Sequence, residues 1–276
     1  MSKEIVKYNN ELNMLPFKNF TEYDLNFFMA ICAKMRDLGE EVQIFEYSKM
    51  MEILEWDTSK SIDVFHKDLM RLGEKLRHIG GTLVSDDGDT FVSFNLFTHF
   101  KGCRQKKTFE VGIDPQFKYI LNDLSKNFTK FELSEYVKLD GKYSKLLYQN
   151  LKQYKKSGWW QVSVDDLRGF LSIPQSMPTM NITTKIITPS IEVIKLCKGF
   201  GELQVEVLRS RERGRKVTGY KFTWTAEKQI PGQMNISDYD GSGKEKKEKK
   251  KNKSKYQNFE QREYDFEELE KILTNN

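Results

Sequence analysis

The chain has 276 residues, 45 Lys and Arg against 40 Asp and Glu, and a formal charge of +5, with 31% of its residues charged. No apolar run approaches the roughly 18 residues of a membrane span, the start MSKEIVKYNNELN holds no signal-peptide core, and Cys32, Cys103 and Cys197 form no CxxC pair. A cytoplasmic chain with buried thiols is expected, without membrane attachment, metal or cofactor, and its length favours two domains plus a tail.

In chain order, FTEYDLNFFMAICAKMRDLG begins at Thr21 as N-cap with Asp24 three positions on. Leu25, Phe28, Cys32 and Met35 follow at 3, 4, 3 spacing and predict a helix ended by Gly39. EVQIFEYS predicts a short strand with Val42, Ile44 and Tyr47 on one side, then a brief helix over SKMMEIL. Asp57 or Thr58 is the expected cap of a long helix that buries Ile62, Phe65, Leu69, Leu72 and Leu76. TLVSDDGDTFVSFNLF reads as two strands around Asp87-Gly88, a hairpin signal. FEVGIDPQFKYI and FTKFELSEYV supply connecting strands and a short helix.

The order helix, strand, short helix, long helix, hairpin then recurs. Tyr143, Leu147, Leu151 and Tyr154 mark a helix, WWQVSV a strand, DDLRGFL a short helix. A longer helix over about Asn181 to Leu196 carries Ile187, Ile191 and Ile194, and Pro189, which lacks an N–H, predicts a bend or restart near Thr188. Two strands, EVL and YKFTW, close the second copy. Three helices followed by a hairpin are the winged form of helix-turn-helix, so an α+β chain of two tandem winged-helix domains is expected, residues 1–140 and 141–230, with a disordered basic tail over residues 231–276.

The charge distribution points to double-stranded DNA. Arg209, Arg211, Arg213, Arg215 and Lys216 crowd the turn of the second hairpin, where a wing meets phosphate, with Gly214 at the tip. Ahead of the apolar face of the expected recognition helix stand Asn181, Thr183, Thr184, Lys185 and Thr188, residue types that pair with base edges in the major groove. Lys142 and Lys145, on the first helix of this domain, are candidates for the flanking backbone. The SDDGD turn of the first hairpin is acidic, which predicts a division of labour: the second domain grips DNA, and the first binds it weakly or pairs with a protein.

Residues Lys244 to Lys255 hold eight lysines and two glutamates, a composition unable to bury a core, whereas Tyr256 to Asn276 sum to −4. Within that end, Phe266, Leu269 and Ile272 recur at three-residue spacing, the apolar side of a short helix suited to docking a partner. Catalytic signatures are missing: the sequence has no GxxxxGK[ST], and no two of His66, His78 and His99 are separated by a single residue, as a His-hydrophobic-His metal pair of a nickase requires. The chain is therefore not expected to be an enzyme.

LPFKNFTEYDLNFFMAICAKM, KYSKLLYQNLKQYKKSGWWQVSVDDLRGFL and ITTKIITPSIEVI together resemble the plasmid replication initiators that bind iterons, the tandem repeats of theta-type origins. The resemblance covers roughly residues 10–225. It implies two winged-helix domains, the second reading the iteron and the first adding a weaker DNA contact and a dimer interface, with a homodimer in equilibrium with monomer, local melting of the origin and recruitment of a host helicase or initiator. It places iteron contact on Asn181, Thr183, Thr184, Lys185 and the wing from Arg209 to Lys216. NFEQREYDFEELEKIL resembles a terminal motif of replication-related proteins from low-GC Gram-positive bacteria and their phages. The alternative is a winged-helix transcriptional repressor without an initiation role, which would share every DNA-binding feature.

Overall fold

The computed structural model describes residues 4–38, 41–84, 89–122, 124, 127–211 and 215–227. The tail from residue 228, including Phe266, Leu269 and Ile272, lies outside these, as do Gly39, Asp87, Gly88, Arg213 and Gly214.

β1 (Ile5–Asn9) and a 3-10 turn over Asn10–Met14 lead to α1 (Glu22–Met35). Thr21 and Asp24 close the expected capping box: Thr21 N donates to Asp24 Oδ2 (2.6 Å) and Asp24 N to Thr21 Oγ1 (3.3 Å). β2 (Gln43–Glu46), α2 (Tyr47–Ile53) and α3 (Ile62–Leu76) follow. Phe65, Leu69, Leu72 and Leu76 of α3 are buried at the expected spacing.

Two local expectations are corrected here. The N-cap of α3 is Ser61; Asp57 instead accepts from Ser59 N (3.0 Å) and Ser59 Oγ (2.7 Å), closing a turn ahead of the helix. Ile44 of β2 and the preceding Val42 face solvent, 68% and 49% exposed, while Phe45 turns inward and stacks on Phe109 at 5.0 Å between ring centroids. The aromatic neighbour, rather than the aliphatic pair, decides which side of this strand is buried.

The larger correction concerns the first hairpin. Among the described residues β3 (Gly80–Val84) and β4 (Phe91–Asn95) pair only with each other. β5 (Phe97–Cys103) and β6 (Thr108–Ile113) form the hairpin that joins β2, in the order β2-β6-β5, with Gln43 opposite Val111 and Phe100 opposite Val111 on the other side. The acidic turn therefore belongs to an extra hairpin, and the wing of the first unit is β5–β6.

After a 3-10 turn at Pro115–Ile120 come β7 (Phe128–Glu132) and α4 (Leu133–Val137). The second unit comprises α5 (Lys142–Gln153), β8 (Trp159–Ser163), α6 (Val164–Phe170), α7 (Thr179–Asn181), a π-helical turn over Ile182–Ile187, α8 (Thr188–Ile194), β9 (Gln204–Arg209) and β10 (Val217–Thr223). Its sheet runs β8-β10-β9, the same first-third-second order as β2-β6-β5. One topology occurs twice, two winged-helix units in an α+β chain.

β1 pairs antiparallel with β7, Ile5 opposite Glu132, tying the amino terminus to the segment that enters the second unit. A buried polar chain crosses this junction: Tyr8 OH donates to Asn13 Oδ1 (2.9 Å), Asn13 Nδ2 to Gln153 Oε1 (2.9 Å), and Thr129 Oγ1 to Asn10 Oδ1 (2.8 Å). Phe17 N donates to Ser172 Oγ (3.0 Å), and one apolar core continues through both units. Each buried polar atom in such a chain has a partner, so the junction sets an orientation as well as adding stability.

Candidate nucleic-acid interface

The second recognition helix begins where the turn after α6 ends. Arg168, buried on α6, donates from Nη1 to Pro174 O (2.8 Å) and from Nη2 to Met177 O (2.7 Å), holding that turn against the helix. Ile182, Ile186, Ile187, Ile191 and Ile194 supply the buried face. The expected restart at Thr188 takes the form of the π-helical turn, with Pro189 as the second residue of α8. A proline there would leave the wider turn short of one backbone bond, and side chains contribute others: Thr188 Oγ1 donates to Thr183 O (2.9 Å) and Thr184 Oγ1 to Met180 O (3.1 Å).

Outward from this helix, Thr184, Lys185 and Thr188 are exposed and Asn181 is half-buried. Thr183 differs from the expectation. Its hydroxyl shares a 2.7 Å hydrogen bond with Tyr220 OH of β10, so it fastens the helix to the wing strand. Tyr220 is fully buried, and burial holds its phenol above the ordinary range. The same bond brings the helix alongside the strand that leads to the arginine turn: Tyr220 stands four residues from Lys216, about 13 Å along an extended strand.

At the wing, Arg209 pairs with Val217 and Ser210 N donates to Lys216 O (2.8 Å). Arg209, Arg211, Arg215 and Lys216 are exposed, and Arg215 holds a φ of 41°. Arg209 Nη1 donates to Arg215 O (3.2 Å), which straps the two sides of the turn together. Gly219, at the root of the wing, is required by its neighbour, since a Cβ there would lie 2.4 Å from Val162 O of β8.

Lys142 and Lys145 are not surface cations, which corrects the expectation of backbone contact. Lys145 has no exposed surface; its Nζ donates to Tyr136 O (2.8 Å) and Val137 O (3.1 Å), and burial pulls its pKa down to about 8. Lys142 Nζ donates to Phe17 O (2.7 Å) and Lys18 O (2.8 Å) across the junction, and burial again lowers its pKa. Both ammonium groups cap carbonyls where the two units meet.

Sequence reasoning missed the tip of the first wing. Arg104, Lys106 and Lys107 are exposed between β5 and β6, and Arg104 Nε lies 2.5 Å from Asp63 Oδ1 in the first turn of α3. The signal was present as RQKK between two strand-like runs, masked by the stronger turn signal of Asp87-Gly88. α3 itself offers Lys67 and Arg71 outward beside Glu74, a nearly neutral face, while Lys75 is paired with buried Asp24 at 2.5 Å. The two units thus share a geometry, helix beside basic wing, with the denser positive charge on the second.

Among the described residues no helix is long and apolar enough to cross a membrane, and no group of three His, Cys, Asp or Glu side chains is placed to hold a metal ion. His66, on α3 beside Phe65, is half-buried and bonded to Tyr47 OH through Nδ1 (2.6 Å). Cys32 and Cys197 are buried, as expected, and burial pushes the Cys197 thiol up to about 12; Cys103 is half-buried.

Comparison with known proteins agrees with this arrangement. Residues 5–152 match the family model described as "Initiator Replication protein, WH1", and residues 163–224 that described as "Initiator Rep protein, WH2". The chain is 28% identical over 229 residues to a "Probable replication protein rep" of Bifidobacterium longum (strain NCC 2705), covering 82% of this chain and 74% of that one. Its fold is similar to a crystal structure of Pi initiator protein in complex with iteron DNA, with a TM-score of 0.63 and 15% identity over 83% of this chain and all of the other.

Proposed function

Because the chain belongs to the family of initiator replication proteins built from WH1 and WH2 domains, we propose that it starts plasmid replication by binding tandem direct repeats at the origin and using that binding energy to open adjacent DNA. The hydrogen bond between Thr183 and Tyr220 carries this reading, because it sets the recognition helix and the arginine wing beside each other, where one duplex can meet both. The solved relative bound to iteron DNA supports the choice of target.

In this reading residues 1–140 and 141–230 divide the work. Asn181, Thr184, Lys185 and Thr188 enter the major groove while Arg209, Arg211, Arg213, Arg215 and Lys216 hold the flanking phosphates, and the first wing adds Arg104, Lys106 and Lys107. Several copies on adjacent repeats bend the duplex, and nearby A·T-rich steps unstack most easily. No ATP enters that step. A monomer-dimer equilibrium and a host helicase or initiator, recruited through Phe266, Leu269 and Ile272, complete the proposal.

The experiment is a gel-shift titration of the full chain on duplexes with one and several copies of the direct repeats beside its gene, with permanganate probing of unpaired thymines on a supercoiled plasmid. Binding to tandem repeats and reactive thymines next to them are expected. Tight binding to a single inverted repeat, with no reactive thymines, would instead make the protein a repressor. Truncation before Tyr256 is expected to keep repeat binding and lower replication in the host; unchanged replication removes the docking role of the tail.

A further inference from the structure

The outward side of the second recognition helix carries Met180, Thr184 and Thr188 at four-residue spacing. All three are exposed, Met180 to 77%. Both threonine hydroxyls are turned onto the helix itself, Thr184 Oγ1 donating to Met180 O and Thr188 Oγ1 to Thr183 O. When a threonine hydroxyl donates to a preceding carbonyl of its own helix, its proton is not offered to a base edge, and the γ-methyl is the apolar group that the exposed side chain keeps. The stripe therefore presents an S-methyl and two γ-methyls, flanked by the amide of Asn181 and the ammonium of Lys185.

An apolar stripe on a DNA-facing helix has one counterpart in the major groove. Every base-pair edge there offers hydrogen-bond donors or acceptors, and only thymine adds a methyl group. We infer that Met180, Thr184 and Thr188 read thymine 5-methyl groups, so that the repeat recognised by the second domain holds thymines at up to three positions along the groove. This rests on the reading that the helix enters the major groove. The helix α3 of the first domain exposes Val64 and Met70, but these stand six positions apart with the exposed Lys67 between them and Arg71 and Glu74 beyond, so its apolar groups form no continuous stripe.

The test changes the DNA before it changes the protein. The full chain is used to select duplexes from a random pool, and the enriched sequence is remade with deoxyuridine for thymidine at one position at a time, which removes one methyl and no hydrogen-bonding group. At one to three positions the affinity is expected to fall about fourfold, the value of one buried carbon of this kind. T184S and T188S keep the hydroxyl and lose the methyl, and each is expected to abolish the distinction between thymine and uracil at one of those positions. Equal affinity for thymine and uracil everywhere overturns the inference while leaving DNA binding intact, as does unchanged discrimination in both serine variants. A pool from which no sequence is enriched overturns the initiator reading and this inference with it.

Discussion

Removing Arg211, Arg215 and Lys216 together by alanine substitution should change the salt dependence of DNA binding more than its sequence preference. These three are exposed on the second wing, whereas Arg209 is left in place because its guanidinium straps the turn by bonding Arg215 O. Each cation on a phosphate contributes a slope of about −0.9 in log K against log salt. Three such contacts give a difference of up to about 2.7, so between 50 and 200 mM salt the native protein should lose about 40-fold more affinity than the variant. Fluorescence anisotropy on one labelled duplex across that range measures both slopes. The companion variant R104A/K106A/K107A at the first wing should flatten the slope by up to about 1.8, since Arg104 must first leave Asp63 at 2.5 Å and adds little net. A slope altered by less than one unit in the second-wing variant would refute the placement of this turn against the phosphates.

Other substitutions test the scaffold beneath that surface. Lys145 has a folded pKa of about 8, below the ordinary 10.5, so it is charged in both states below pH 8 and the unfolded chain binds more protons between about 8 and 10.5. Stability attributable to it should rise by up to about 3 kcal/mol as pH climbs through that window; K145M should lack the rise in urea denaturation at successive pH values, and an identical slope would contradict the buried placement. G219A forces a Cβ to within 2.4 Å of Val162 O, a backbone atom that cannot swing aside, and should lower stability by about 2 kcal/mol in the same assay; a neutral result would mean that β8 and β10 are spaced more widely. Y220F removes the hydroxyl that holds Thr183 and should destabilise by only about 1 kcal/mol, yet reduce the ratio of specific to non-specific DNA binding, a ratio that loss of stability alone leaves unchanged.

Local pattern carried a large part of this protein. The 3-and-4 spacing of Phe65, Leu69, Leu72 and Leu76, the capping box of Thr21 and Asp24, and the restart demanded by Pro189 are contacts within about one helical turn, and each is found where the residue order placed it. The doubled order of helices and strands is likewise a property of succession, and the crowd of arginines before Val217 needs no partner to be noticed.

What depended on distant surfaces was decided only by folding. Period-two alternation marks a strand without naming its neighbour, so the turn signal at Asp87-Gly88 put the first wing at the wrong hairpin, and only the pairing of Gln43 with Val111, 68 positions away, moves it to the one at RQKK. Lys142 and Lys145 look like surface cations because their charge is local; the carbonyls of Phe17 and Lys18 that receive Lys142 are brought near by the packing of the two units, while those of Tyr136 and Val137 that receive Lys145 lie just before it in sequence and are turned onto it by the bend from α4 into α5. Thr183 was assigned to DNA for the same reason: the phenol of Tyr220 that claims its hydroxyl lies 37 residues on. Side-chain chemistry is inherited from the residue; whether a given group faces water, a base or a buried carbonyl follows from which faces must be removed from solvent together, a condition on the whole chain.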